Sequence, residues 1–157
     1  MKIKLALVWA LAIGVLVICG PAFAHHGNAA YDMSTIAEFK NATVTKWVWA
    51  NPHCILMFDV KDDKGNVVHW TAETGSPEAI LPFGFNRDVV HTGDEISVYL
   101  FKSKAGTPVG IVNRIVLSDG RVVKDVPLGG TEADREEARK NGKGALTDVS
   151  RQQQQQQ

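Results

Sequence analysis

Hydrophobic and polar positions divide the chain into three regimes. An unbroken apolar run covers Leu5 to Ile18. From Glu38 to about Leu128, short apolar stretches alternate with turn residues. Beyond that point the apolar period fades, and Thr131 to Lys140 is charged on every side. The middle regime carries the fold. Phe39 to Trp49 reads as a strand in which Thr43, Thr45, Trp47 and Trp49 alternate with Val44, Lys46 and Val48. Both faces hold apolar residues, as in a long curved strand whose ends meet different surroundings. Asn51-Pro52 interrupts it, because proline cannot donate to a ladder.

A second strand, His53 to Val60, is apolar on both faces. Asp62 to Asn66 then forms a hairpin turn in which Gly65 supplies the positive φ. The third strand, Val67 to Thr74, sets Val68, Trp70 and Ala72 against His69, Thr71 and Glu73. Ser76-Pro77-Glu78 starts a short helix: a capping residue, a proline suited to the first turn, and an acid at the positive end of the dipole. That helix ends near Gly84. Thr92-Gly93-Asp94 turns into a fourth strand, Glu95 to Phe101, with Ile96, Val98 and Leu100 inward. A fifth strand carries Ile111, Ile115 and Leu117, and Ser118 to Arg121 forms another turn. Three strands, a helix and two strands predict an all-β fold with one short helix, a small five-stranded OB-like Greek-key barrel. A β-sandwich normally needs about seven strands.

The first regime has a different meaning. Lys2 and Lys4 precede the apolar run, and Gly20-Pro21 and Ala22-Phe23-Ala24 follow it. These are the three parts of a signal peptide cut after Ala24. The run is shorter than the roughly 20 residues of a membrane span, so a retained anchor is the weaker reading. Leu16 to Cys19 loosely resembles a lipobox, but Ile18 is too bulky before a modified cysteine. The chain thus divides into a signal peptide (1–24), an N-terminal arm (25–37), the barrel (38–128), and a charged, Gln-rich disordered tail (129–157). The expected location is periplasmic or secreted, with no stable membrane insertion after cleavage.

Composition changes this picture little. The 157 residues are 45% hydrophobic and 22% charged, with 17 basic and 17 acidic side chains. Loss of Lys2 and Lys4 leaves the mature chain slightly acidic, which argues against a nucleic-acid partner. Cleavage also removes Cys19 and leaves Cys54 alone, so no internal disulfide is expected. Cys54 sits in an apolar strand and reads as a buried, inert thiol.

The ordered series His25-His26-Gly27, Tyr31-Asp32, Thr43-Val44-Thr45-Lys46-Trp47, Asn51-Pro52-His53, Trp70, Gly75-Ser76-Pro77, Gly84-Phe85-Asn86-Arg87-Asp88, Gly93-Asp94 and Ser118-Asp119-Gly120-Arg121 resembles the DUF6152 family of small exported bacterial proteins. The resemblance implies a secreted β domain and no established activity. The chain departs from the pattern at Asn41-Ala42, where a glycine is expected ahead of Thr43, and at Phe85, where tryptophan is commoner.

Cleavage after Ala24 would make His25 the first residue. Its free amine and ring Nδ1 can then chelate one metal, and a second imidazole completes a T-shaped set of three nitrogens. Such nitrogen-rich sites favour copper(II). His26 is the nearest source of a third nitrogen, but sequence neighbours rarely point together. His53, held by Pro52 at the barrel rim, is the better candidate. Asp32 would serve as an axial or outer carboxylate. His69 and His91 are weaker candidates. The plain alternative is a solvated terminus and a His53 hydrogen-bonded to the backbone. Trp47, Trp49 and Trp70 read as core, with Trp49 nearest the rim and the best contact for a ligand. The alternative function is an OB-like module binding a small molecule or a periplasmic protein. Enzyme chemistry is the weakest reading: Ser76 has no base partner, and Asp59, Asp62 and Glu73 form no acid pair.

Overall fold

The computed structural model describes residues 28–141. The segment read as a signal peptide, His25, His26 and the glutamine run lie outside them. After a 3-10 turn at Asn28–Ala30 come β1 (Tyr31–Val48), β2 (Ile55–Lys61), β3 (Val67–Glu73), α1 (Pro77–Ile80), β4 (Glu95–Ser103), β5 (Val109–Val116), β6 (Val122–Lys124), α2 (Val126–Gly129) and α3 (Glu132–Lys140). Each strand pairs antiparallel with its neighbour in the order β3-β2-β1-β4-β5-β6, and a parallel pairing of β3 with β5 closes the ring. The result is a closed five-stranded barrel of OB-like order, with the helix between β3 and β4 and with β6 added outside. Closure leaves little exposed edge.

The barrel is filled from alternating positions of its strands. Leu56 and Phe58 on β2, Ala72 on β3, Ile96, Val98 and Leu100 on β4, and Val112 and Ile115 on β5 are buried in one cluster. Trp70 lies between Phe39 and Phe58, with ring centroids 4.6 and 6.3 Å away, so it belongs to the core. α1 continues into a 3-10 turn that ends at Gly84, whose φ of 97° requires glycine. Ser76 stands at the N-cap position but makes no side-chain cap; its carbonyl takes the amides of Ala79 and Ile80.

Three features differ from the sequence reading. β1 begins at Tyr31, inside the segment read as an arm, because Tyr31 pairs with Ser103 and is buried against Phe101 and Ile111. β1 carries three register shifts, between Tyr31 and Ile36, Phe39 and Ala42, and Val44 and Lys46, and the last two give the Phe39–Trp49 stretch its mixed faces. Val44 pairs with Phe58, Lys46 with Met57 and Trp47 with Leu56, so Thr45 is the extra residue. This bulge turns Trp47 to the core side. The second shift lies between Phe39 and Ala42, where Asn41 adopts φ 53°. Asparagine tolerates this left-handed geometry. Asn41→Val is therefore expected to cost about 1–2 kcal/mol and Asn41→Gly almost nothing, as read from urea midpoints.

The third difference is at the C-terminus. α2 straddles the end of the stretch read as barrel, and α3 lies in the stretch read as a disordered tail. α2 packs on β5, with Val126 and Gly129 buried. α3 is charged, as expected, but it is not wholly solvated. Thr131 and Asp134 form a reciprocal capping box, Lys124 of β6 reaches Asp134 (2.8 Å) and Glu137 (3.2 Å), and Ala138 is buried.

Candidate metal centre

Among the described histidines, His53 has the most defined surroundings. It follows Asn51-Pro52 in the connection from β1 to β2 and is half-buried. Its Nδ1 lies 3.0 Å from the carbonyl oxygen of Thr74, just past the end of β3. A carbonyl only accepts, so Nδ1 carries the proton. In the neutral ring the lone pair is then on Nε2. A purely structural histidine would make this bond. A metal-binding histidine also needs it, because ligand imidazoles generally donate their other nitrogen to a carbonyl or carboxylate.

The layer beneath His53 is buried and fully hydrogen-bonded. Thr74 is 0% exposed. Its amide donates to the Cys54 carbonyl (2.9 Å), and the Cys54 amide donates to the Gly75 carbonyl (3.2 Å). The Thr74 hydroxyl lies within reach of both those carbonyls, at 3.3 and 3.2 Å. Asp125, the N-cap of α2, is also 0% exposed. Its Oδ2 accepts the Gly75 amide at 2.8 Å and its Oδ1 the Leu128 amide at 3.1 Å. Burial pushes the Asp125 carboxyl up to about 6, while its backbone donors and nearby His53 act in the opposite direction. Cys54 is buried, and burial raises its thiol above the ordinary value, which suits an inert group.

The other predicted residues are placed as follows. Asp32 lies at the start of β1 and accepts the Ser34 amide at 3.1 Å and the Ser34 hydroxyl. These bonds, with a smaller pull from Lys104, hold its carboxyl below the ordinary value. Lys104 donates its amide to Ala30 (3.0 Å) and its ammonium to Ala29 (2.9 Å), tying the first described residues to the end of β4. The Tyr31 phenol is raised by burial and by the charge of Glu73, the last residue of β3. Trp49 is half-buried, 5.9 Å from Trp47 and packed against the core. His69 pairs with Asp59 at 2.6 Å and His91 lies 3.9 Å from Asp94, both on exposed surface. Among the described residues no three His, Cys, Asp or Glu side chains come together as a metal-binding group. No helix among them is long and apolar enough to cross a membrane.

Sequence reasoning missed Asp125. One signal was available: an Asp two residues before Pro127, in a helix-start pattern. It stood three residues before the point where the apolar period fades.

The profile of a family of unknown function, DUF6152, matches residues 12–113. No curated protein matches the chain.

Proposed function

The chain belongs to the DUF6152 family, and on that premise we propose from its own residues that it is an exported protein binding copper(II) between its processed N-terminus and His53. The amine and Nδ1 of His25 would form the chelate, and Nε2 of His53 would supply the third nitrogen. The observation that carries this reading is the His53–Thr74 bond, which leaves Nε2 as the ring's one lone pair. The placement of the arm adds support. The chain before Asn28 needs only three residues to reach back to His25, a span of up to about 10 Å. Tyr31 feels the charge of Glu73, which directly precedes Thr74. The arm and the His53 loop therefore border the same end of β3. Asp32 is an outer carboxylate in this reading, and His26 an alternative donor.

The test uses protein secreted with its own leader, its first residue fixed by mass spectrometry. Copper(II) titration followed by calorimetry and electron paramagnetic resonance is expected to show one-to-one binding with nitrogen hyperfine structure. His53→Ala, or one extra residue ahead of His25, is expected to weaken binding at least about tenfold. Equal affinity of native and extended chains overturns the reading.

A second reading has an observation of its own. Lys40, Thr43, Asp59, Lys61, Val67 and Glu95 line an open groove on the outer barrel surface. Its mixed charges suit a small polar ligand or a periplasmic protein. This reading predicts no dependence of ligand capture on His25 or His53.

A further inference from the structure

Resting on the metal reading above, we infer that Asp125 is a positioning residue for His53, acting through Gly75 and Thr74. The relay is continuous. The Asp125 carboxylate takes the Gly75 amide at 2.8 Å, and the Thr74 carbonyl, in the peptide ending at that same amide nitrogen, takes the His53 Nδ1 proton at 3.0 Å. One peptide unit thus receives a carboxylate on its N–H and an imidazole on its C=O. A negative charge on the N–H side polarises the unit and makes the oxygen a better acceptor. The Nδ1–H bond strengthens, the proton stays on Nδ1, and Nε2 remains the basic, outward nitrogen.

Capping alone does not account for this carboxylate. Asn or Ser would cap α2 nearly as well without placing a charge where nothing is exposed to water. The charge has a use only if something nearby responds to it, and one peptide unit links the Asp125 carboxylate to the Nδ1–H of His53. Cys54 is the other titratable group that feels Asp125, and it is a buried thiol. The approach is close because residue 75 is glycine. A Cβ there would stand 2.7 Å from Ile80 Cγ2 and 3.5 Å from Asp125 Oδ1. A segment fifty residues downstream of Gly75 thereby sets the donor of the His53 loop.

The test reads the ring nitrogens of His53 by 15N NMR in the apo protein, then copper(II) affinity. In the native chain Nδ1 is expected to carry the proton. In Asp125→Asn, one side of the amide presents N–H groups to a backbone N–H. The expected result is a mixed His53 tautomer and copper binding weaker by about 10–100-fold. Val98→Ala, a core truncation, serves as the destabilised control and is expected to leave the tautomer alone. An unchanged tautomer and affinity in Asp125→Asn overturn the inference and leave the metal reading standing. A tautomer equally mixed in Val98→Ala also overturns it, because the effect is then general loosening. If Asp125→Asn fails to fold, the native spectrum decides: a proton on Nε2 overturns the relay. Equal copper affinity of native and His53→Ala chains removes the metal reading, and the tautomer comparison then judges the relay by itself.

Discussion

Gly129→Ala is expected to cost about 3 kcal/mol or more, lowering the thermal midpoint by more than about 10 °C. A Cβ at this position would stand 1.8 Å from the carbonyl oxygen of Val112 and 2.7 Å from its carbon. Both are backbone atoms of β5 in the barrel wall, so no side chain can turn aside. α2 must move instead. Its movement breaks the buried bond from Asn113 Nδ2 to the Gly129 carbonyl (2.8 Å) and the bond from the Leu128 amide to Asp125 (3.1 Å). The cost is large because Asp125 is buried, and a buried carboxylate that loses its donors loses several kcal/mol. Gly120→Ala is the matched contrast. Gly120 has φ 84° with nothing within 4 Å of the added carbon, so only backbone strain of about 1 kcal/mol is expected. Calorimetric scans of both variants check this. A Gly129→Ala midpoint no lower than that of Gly120→Ala would show that α2 is not clamped to the barrel.

The same residues explain what the sequence could reveal. The barrel is legible because Val68-Trp70-Ala72 and Ile96-Val98-Leu100 keep strict two-residue spacing, and closure needs little else. The turn at Gly65 and the helix end at Gly84 are legible because each needs a positive φ. The bulges at Asn41 and Thr45 are not. An extra residue inverts the period locally, and the inverted pattern looks like a strand with two apolar faces. β6 has three residues, too few to show a period. α2 is held by a hydrogen bond spanning fifty positions in sequence, from Gly75 to Asp125, which no local window contains. The site divides the same way. Pro52 marks His53 as a fixed rim residue, whereas the Thr74 carbonyl that selects its tautomer has no sequence signature, since every residue carries one. His25 and His26 draw attention only through the segment read as a leader ahead of them.

Stability is expected to fall as pH rises from about 4 to about 6. The cause is Asp125, whose folded carboxyl is raised by burial to about 6 from an ordinary 3.8. In this window the unfolded chain has already lost that proton and the folded chain still holds it. The folded state binds more protons, so raising the pH favours unfolding. A shift of about two units corresponds to about 3 kcal/mol, fully present below pH 4 and gone above pH 6. The capping carboxylate of α3 works in the other direction and in another window. Burial alone would raise Asp134, but bonds from Lys124 and Thr131 hold it at about 2, so its contribution is lost only as pH falls through the range from about 4 to 2. The two groups therefore separate on a pH axis. Urea midpoints between pH 4 and 6 should decline in the native chain and stay level in Asp125→Asn, whatever the absolute stability of that variant. A decline of equal size in both would mean that the buried carboxyl is not the group responsible. The same titration places the ionised, charge-bearing form of Asp125 above about pH 6, where the terminal amine of a processed chain begins to lose its proton and become a ligand.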